Sequence, residues 1–263
     1  MDLGIKDKIA VVSASTKGLG LATATALAAE GANVVISGRH KQNLHDAETE
    51  IKAKTGKTPL AIQSDVTQSE DIDRLFDEVT RHFGTVHILV TNAGGPPAGN
   101  FGDFNDEQWL KAVDLNLMST VRLIRTAMPM MQKQKWGRIV NIVSLTVKQP
   151  AANLLLSNSV RAAVIGLAKS ISPDLSKDNV LINNMAPYYV ATKRIDYLME
   201  ETAQKRGITK EAAFQNIIKE IPMGRLGKPE EFGDFVAFLC SERNSYVTGA
   251  TIQFDGGAYK GMM

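Results

Sequence analysis

The chain has 263 residues, of which 44% are hydrophobic and 22% charged, values that are typical of a globular protein and exclude a disordered one. Its formal net charge is only +2 with both signs scattered, so it lacks the basic field expected of a nucleic-acid-binding protein. The single cysteine, Cys240, cannot form an internal disulfide, and no apolar run suits a membrane span or a signal peptide, so we expect a cytoplasmic protein.

A glycine-rich turn separates the first predicted strand, residues 8–13, from an alanine-rich predicted helix that ends near Glu30. Glycines let the backbone approach a pyrophosphate, and a helix N-terminus favours its negative charge, so this turn is a candidate dinucleotide site. The pattern alone is equally compatible with an ordinary strand-to-helix turn. The candidate cofactor-binding residues here are Ser13, Ser15, Thr16, Lys17, Gly18, Leu19 and Gly20.

Arg39 follows the second predicted strand, residues 33–37. In a dinucleotide fold a carboxylate at this point would hold the ribose hydroxyls, whereas an arginine suits a 2′-phosphate. Together with Lys17 from the glycine turn, Arg39 favours NADP(H) over NAD(H). The alternative is that both are solvated surface cations.

Two further strand ends carry candidate cofactor-binding residues. The third strand, residues 59–63, leads to Asp65, which either opens the next helix or contacts an adenine, and these two roles are compatible. The fourth strand, residues 87–91, ends in small residues that leave room for a ligand at the edge where parallel sheets bind ligands. The candidates at these ends are Asp65, Val66, Asn92, Ala93 and Gly94.

The predicted reaction centre lies between residues 139 and 170. A β-branched strand ends at Ser144, and the helix that follows carries Ser157 and Arg161 four residues apart, hence on one face. Upstream, residues 106–133 predict one long helix with Asn116 inside it, and a mid-helix asparagine among apolar neighbours needs a partner. We expect strand end and helix face to converge, and we predict no metal site.

The last third of the chain predicts a sixth strand at residues 179–183, polar helical sequence over residues 193–222, a helix at residues 229–239 and a final strand around Ile252. An insertion like 193–222 after a strand end is a plausible substrate lid, although surface packing alone could explain its apolar residues. Strands and helices alternate throughout. The simplest architecture is a single α/β domain over residues 1–263, a doubly wound Rossmann-type fold with a parallel sheet of about seven strands and helices on both faces.

With these markers in place, the sequence resembles the classical short-chain dehydrogenases/reductases over essentially its full length, and within them the 3-oxoacyl-(acyl-carrier-protein) reductase-like branch. The turn matches the family's T-G-x-x-x-G-x-G with Ser13 and Ala14 in the first two places. The other matching markers are Asp65, Asn92-Ala93-Gly94, Asn116, Ser144, Thr192, residues 224–231 and Asp255-Gly256-Gly257. The resemblance implies hydride transfer between NADP(H) and a carbonyl or alcohol, cofactor contacts at Pro187, Thr192 and Arg161, and a homotetramer.

The departures from the family pattern concern the catalytic residues. The family's tyrosine lies 13 residues beyond its serine and opens Y-x-x-x-K, which places Ser157 at the tyrosine position and Arg161 at the lysine position. Another Y-x-x-x-K string, Tyr189 to Lys193, follows the sixth strand instead, so we reject it. Tyr188 stands where the family has glycine.

These departures alter the implied mechanism, in which tyrosine donates a proton, serine polarises the carbonyl, lysine holds the ribose and asparagine anchors a water. The implied catalytic set here is Ser144, Asn116, Ser157 and Arg161. A serine hydroxyl is a far weaker acid than a phenol, so either water delivers the proton slowly or the phenol of Tyr188 moves in; otherwise Tyr188 packs in the pocket wall or under the lid. The alternative function is a catalytically silent NADP(H)-binding sensor or assembly protein.

Overall fold

Seven parallel strands build one sheet in the computed structural model, which describes residues 2–262. The strands are β1 (Ile9–Val12), β2 (Asn33–Gly38), β3 (Leu60–Gln63), β4 (Ile88–Thr91), β5 (Gly137–Ile142), β6 (Val180–Pro187) and β7 (Thr251–Phe254). Their order across the sheet is β3-β2-β1-β4-β5-β6-β7, and every neighbouring pair is parallel. The predicted fold class is confirmed. The sixth strand runs four residues further than its predicted end.

Nine α-helices accompany the sheet within the described residues. They are α1 (Gly18–Ala29), α2 (Lys41–Thr55), α3 (Ser69–Phe83), α4 (Asp106–Val113), α5 (Ser119–Lys133), α6 (Leu155–Ser176), α7 (Lys193–Arg206), α8 (Lys210–Glu220) and α9 (Pro229–Leu239). The predicted continuous helix over 106–133 is wrong in one respect, because a π-helical turn, Asp114–Met118, separates α4 from α5. No helix in residues 2–262 is long and apolar enough to cross a membrane.

Apolar cores lie on both faces of the sheet because alternate strand residues point to opposite sides. Val12 and the strand residues that point to the same side of the sheet pack with α1, α2 and α9. Val11 and the strand residues on the opposite side pack with α3, α5 and α6. Strands buried on both faces read as continuous apolar runs, which is why they were recognisable from the sequence. Helices α7 and α8 have a separate small core built on Ile195, Met199 and Ala213.

A chain of side-chain hydrogen bonds crosses four neighbouring strands, β4 to β7, inside this apolar sheet. Thr91 donates to Asn141 at 2.7 Å, Asn141 donates to Asn184 at 2.9 Å, and Asn184 donates to Thr251 at 3.2 Å. Asn141 is 1% exposed and Asn184 is fully buried. These polar side chains satisfy one another, so the ladder fixes strand register close to the carboxyl edge of the sheet.

We expect Asn141→Ala to lower the free energy of unfolding by about 2–4 kcal/mol, because it leaves the buried hydroxyl of Thr91 and the Oδ1 atom of Asn184 without partners. Thr91→Val is the matched control, since it removes only the end of the ladder and should cost about 1 kcal/mol. Urea unfolding followed by circular dichroism measures both. Equal losses in the two variants would contradict a connected ladder.

Candidate active site

A cavity of about 500 Å³ opens at the carboxyl edge of the sheet. It is lined by the glycine turn, by the residues after β4, β5 and β6, by one face of α6 and by the first turn of α7. The structure therefore brings most of the predicted site residues together. Those that line the cavity are Lys17, Gly18, Leu19, Asn92, Ala93, Gly94, Ser144, Ser157, Arg161, Pro187 and Thr192.

The glycine turn is held by hydrogen bonds to the end of β4. The Ser13 hydroxyl donates to the Asn92 carbonyl at 2.7 Å, and the Asn92 amide side chain donates to the Ala14 carbonyl at 2.9 Å. A Cβ at Gly20 would stand 2.7 Å from the Asn92 Nδ2 atom, so only glycine allows this approach. Ser15 donates to the Val12 carbonyl at 2.7 Å. The Ser13 and Ser15 hydroxyls thus support the turn and do not line the cavity.

The same turn fits a dinucleotide. Gly18 adopts a left-handed φ of 58°, and a Cβ at Gly94 would meet nothing within 4 Å, which leaves free volume beside the N-terminus of α1. Lys17 precedes that helix and adds a positive charge. Ala14 holds a φ of 46°, a conformation that disfavours any residue with a Cβ. The cradle is therefore present, with one strained position where the family pattern has glycine.

The remaining candidate cofactor residues lie outside this cavity. Arg39 is exposed just past β2. Asp65 accepts hydrogen bonds from the backbone and hydroxyl of Thr67 at 3.0 Å and 2.9 Å. These bonds stabilise the turn that leads into α3, in agreement with the predicted helix-entry role of Asp65. Val66 is buried, and Thr16 lines an outer groove between α1, α2 and α9.

Three residues with side-chain hydroxyls lie close together just past the end of β5. Ser144 Oγ accepts a hydrogen bond from the Thr146 backbone at 3.3 Å, and Thr146 Oγ1 lies 3.4 Å from Ser157 Oγ. Ser157 is 8% exposed. The predicted convergence of strand end and helix face is confirmed, and Thr146 is the link between them. The Ser144 hydroxyl acts only as an acceptor in these contacts, so its proton remains available to a bound oxygen.

Arg161 lies behind these hydroxyls and is 8% exposed. Its Nη1 atom donates to the carbonyls of Ile142 at 3.0 Å and Val143 at 3.3 Å, which ties α6 to the end of β5. Burial, and to a lesser degree the neighbouring cation of Arg194, lowers the pKa of Arg161 to about 10. The guanidinium is therefore charged at neutral pH.

Asn116 lies in the π-helical turn between α4 and α5 and is 3% exposed. Its Nδ2 atom donates to the Gly94 carbonyl at 3.0 Å, so the expectation that this asparagine needs a partner is confirmed. Its Oδ1 atom is buried without a partner among the described residues. Such turns often mark functional sites, and an orphaned buried acceptor provides a place for a bound water.

Comparisons with known proteins agree with this geometry. The family model described as enoyl-(acyl carrier protein) reductase matches residues 13–259. Dehydrogenase/reductase SDR family member 4 of Oryctolagus cuniculus is 36% identical over 97% of this chain and 94% of its own. A 3-oxoacyl-(acyl-carrier-protein) reductase of Aquifex aeolicus is 33% identical over 98% of this chain and 100% of its own. The protein is a classical short-chain dehydrogenase/reductase.

Solved structures of this family show the same fold. L-sorbose reductase from Gluconobacter frateurii, complexed with NADPH and L-sorbose, is similar with a TM-score of 0.94 and 33% identity over 100% of both chains. YwfH, an NADPH-dependent reductase involved in bacilysin biosynthesis, has a TM-score of 0.92 and 29% identity over 98% of this chain and 100% of its own. Like its relatives, the chain belongs to an oxidoreductase family.

Tyr188 lines the cavity of this dehydrogenase/reductase, but its hydroxyl is occupied elsewhere. It donates to the Glu220 carboxylate at the end of α8 at 2.9 Å, while its ring packs edge-on against Tyr189 with 4.4 Å between centroids. Burial, followed by the bond to Glu220, raises the pKa of the Tyr188 phenol. Tyr188 therefore joins the end of β6 to the α7–α8 segment, and its hydroxyl bonds to Glu220 instead of to Ser144 or Ser157.

Thr146 and Arg194 are polar cavity residues that the sequence analysis missed. Thr146 follows Ser144 by two residues, and its proximity to that serine was the available signal. Arg194 follows Thr192 by two residues in the first turn of α7, and its side chain reaches back across the cavity mouth to the Pro96 carbonyl at 3.5 Å. Only the folded position of α7 makes that contact visible.

We expect Tyr188→Phe to retain hydride-transfer activity within about threefold, whereas loss of a true general acid costs about 10²- to 10⁴-fold. The ring and its packing are kept, and only the bond to Glu220 is lost. NADPH oxidation followed by absorbance, with Glu220→Gln as the control for the other end of that bond, checks this. Abolished turnover in Tyr188→Phe alone would restore Tyr188 as the proton donor.

Proposed function

We propose that this short-chain dehydrogenase/reductase is an NADP(H)-dependent enzyme that transfers hydride between the nicotinamide and a carbonyl or hydroxyl group, with a 3-oxoacyl compound as one candidate substrate, and with altered proton delivery. The observation that carries the proposal is the shared cavity of Ser144, Ser157 and Arg161 beside the glycine turn. Similar proteins whose names or titles specify NADPH, including the Bacillus subtilis reductase BacG at 30% identity, support the choice of cofactor.

The residues that would hold NADP(H) follow from the cradle. The N-terminus of α1 and Lys17 would hold the pyrophosphate, with Thr192 across from Gly18. Arg39, exposed just past β2, would bind a 2′-phosphate. Bound NADP(H) would supply the hydride in reduction and accept it in oxidation. The chain's own residues must then polarise the carbonyl, stabilise the oxygen that gains charge and provide a path for one proton.

Ser144 and Arg161 perform the first two tasks. The free proton of the Ser144 hydroxyl donates to the substrate oxygen, and the fixed charge of Arg161 stabilises that oxygen as it becomes an alkoxide. As the carbon gains hydride, the electron pair of the carbonyl double bond moves to oxygen, which then takes one proton. Ser157 stands where the family has its phenol, so water bound near Ser157 and Thr146 would supply that proton. The unpartnered Asn116 Oδ1 atom would accept a hydrogen bond from bound water.

Homotetramer formation and a cytoplasmic location remain predictions from the resemblance and the composition.

Restoring the family's residues tests the altered proton delivery. We expect Ser157→Tyr with Arg161→Lys to speed single-turnover NADPH oxidation, measured with a panel of ketones and 3-oxoacyl thioesters, by about 10²- to 10⁴-fold. Ser157→Phe with Arg161→Lys is the matched control, because it adds the ring without the hydroxyl. Equal rates for the two double variants would contradict the mechanism. NADPH binding without any oxidation in the wild-type protein would support the silent sensor instead.

The pH dependence of the reduction rate should distinguish the wild-type protein from the Ser157→Tyr, Arg161→Lys variant. Arg161, with a pKa of about 10, stays charged below that value, and no phenol acid is in place, so the wild-type reduction rate should be flat from roughly pH 6 to 9. The Tyr-Lys variant should slow as pH rises through the tyrosine pKa, which the new lysine lowers. A steep loss with rising pH in the wild type would reveal an unrecognised acid.

Arg39 tests the cofactor preference. We expect Arg39→Gln to weaken NADPH binding by about tenfold or more, because a charge-assisted bond to the 2′-phosphate is lost, while NADH binding changes little. Fluorescence titration of each cofactor gives the ratio of the two dissociation constants, so NADH is the internal control. An unchanged ratio would mean that Arg39 is only a solvated cation.

A further inference from the structure

The charges around the cavity are all of one sign. Among residues 2–262, the lining includes four cationic side chains and no carboxylate. The four are Lys17, Arg161, Lys193 and Arg194. Since a low-dielectric cleft concentrates the field of its charges, this cavity favours anions over neutral molecules.

The four cations divide into two pairs. Lys17 and Lys193 also line the outer groove between α1, α2 and α9, so they lie on the side of the glycine turn, where the cofactor phosphates would be. Arg161 and Arg194 line only the inner cavity, on the side of Ser144 and Ser157. The phosphates of a bound cofactor would therefore supply the counter-charge for Lys17 and Lys193. Arg161 and Arg194 would still lack one.

Neither arginine forms an ion pair with any carboxylate of residues 2–262. Arg161 has two backbone carbonyls as its hydrogen-bond partners, and Arg194 has one, at 3.5 Å. The two cations are close enough for Arg194 to lower the pKa of Arg161. A buried cation facing a second cation costs free energy that an anion between them would recover.

Arg194 is placed to bind such an anion. It stands in the first turn of α7, and its Nη2 atom lies beside the loop that follows β4. The distance from that atom to a Cβ built on Gly95 would be 3.4 Å. Its side chain is exposed, and its two contacts, the 3.5 Å bond to the Pro96 carbonyl and a cation–π contact 5.7 Å from the centre of the Tyr197 ring, are weak enough for it to turn toward a ligand. A guanidinium binds carboxylate or phosphate through two parallel hydrogen bonds, which a lone ammonium cannot do.

We propose that Arg194, assisted by the field of Arg161, binds an anionic group of the substrate, so that the substrate is a carbonyl or hydroxyl compound carrying a carboxylate or a phosphate. The nature of the reacting group rests on the reductase function proposed above. Binding of the anion requires no turnover, and the two proposals can be tested apart.

Calorimetric titration of the protein, with and without saturating NADP⁺, measures binding while reduction is impossible. The probes are acetoacetate and levulinate, each against its methyl ester, and dihydroxyacetone phosphate against dihydroxyacetone. We expect the charged member of at least one pair to bind about tenfold tighter or more, and its advantage to shrink as salt is raised. The carboxylate and phosphate pairs show which anion the site prefers.

Substitutions test whether Arg194 is the residue that makes the charged probe bind more tightly. Arg194→Gln should abolish the advantage of the charged probe and Arg194→Lys should keep part of it. Arg206→Gln, which removes the same charge from the far end of α7, should leave it intact. An advantage that survives Arg194→Gln, or no advantage in any pair, overturns the inference. If the charged probe is preferred but NADPH is never oxidised, anion recognition stands and the reductase proposal fails.

Discussion

The active site depends on the contact between Arg161 and the backbone carbonyls of Ile142 and Val143. This contact fixes the face of α6 against the end of β5, and it thereby sets Ser157 beside Thr146 and Ser144. It also explains how a guanidinium is tolerated here. A buried cation without a carboxylate is costly, and two carbonyl dipoles offset part of that cost while the rest of the charge faces the cavity.

The sheet beneath supplies the rigidity that this contact needs. The ladder from Thr91 through Asn141 and Asn184 to Thr251 locks the register of β4 to β7. It lies at the last residue of β4 and within three residues of the ends of β5, β6 and β7. Because the polar groups satisfy one another, the ladder costs little and tolerates no slip of one strand past the next. The positions of Asn92, Ser144 and Pro187 at the cavity follow from that register.

The sequence was sufficient for the fold, because buried parallel strands and amphipathic helices leave strong periodic signals, and its motifs identified part of the cavity lining. It was insufficient where contacts join distant segments. Nothing local indicates that Tyr188 bonds to Glu220, or that Arg194 returns to Pro96. The π-helical turn at Asn116 was also hidden, since one extra residue in a turn hardly changes the pattern of apolar positions.

In the proposed mechanism, the absence of a phenol acid and the fixed charge of Arg161 are linked physically. An alkoxide beside a fixed positive charge is stabilised, because an opposite charge favours the ionised form and lowers the pKa of the corresponding alcohol. Hydride transfer then needs less help from simultaneous protonation, and water can deliver the proton afterwards. In this proposal Arg161, with Arg194 adding to the same field, would make this order of events possible. The same field would hold an anionic substrate, so substrate choice and proton delivery would share one electrostatic cause.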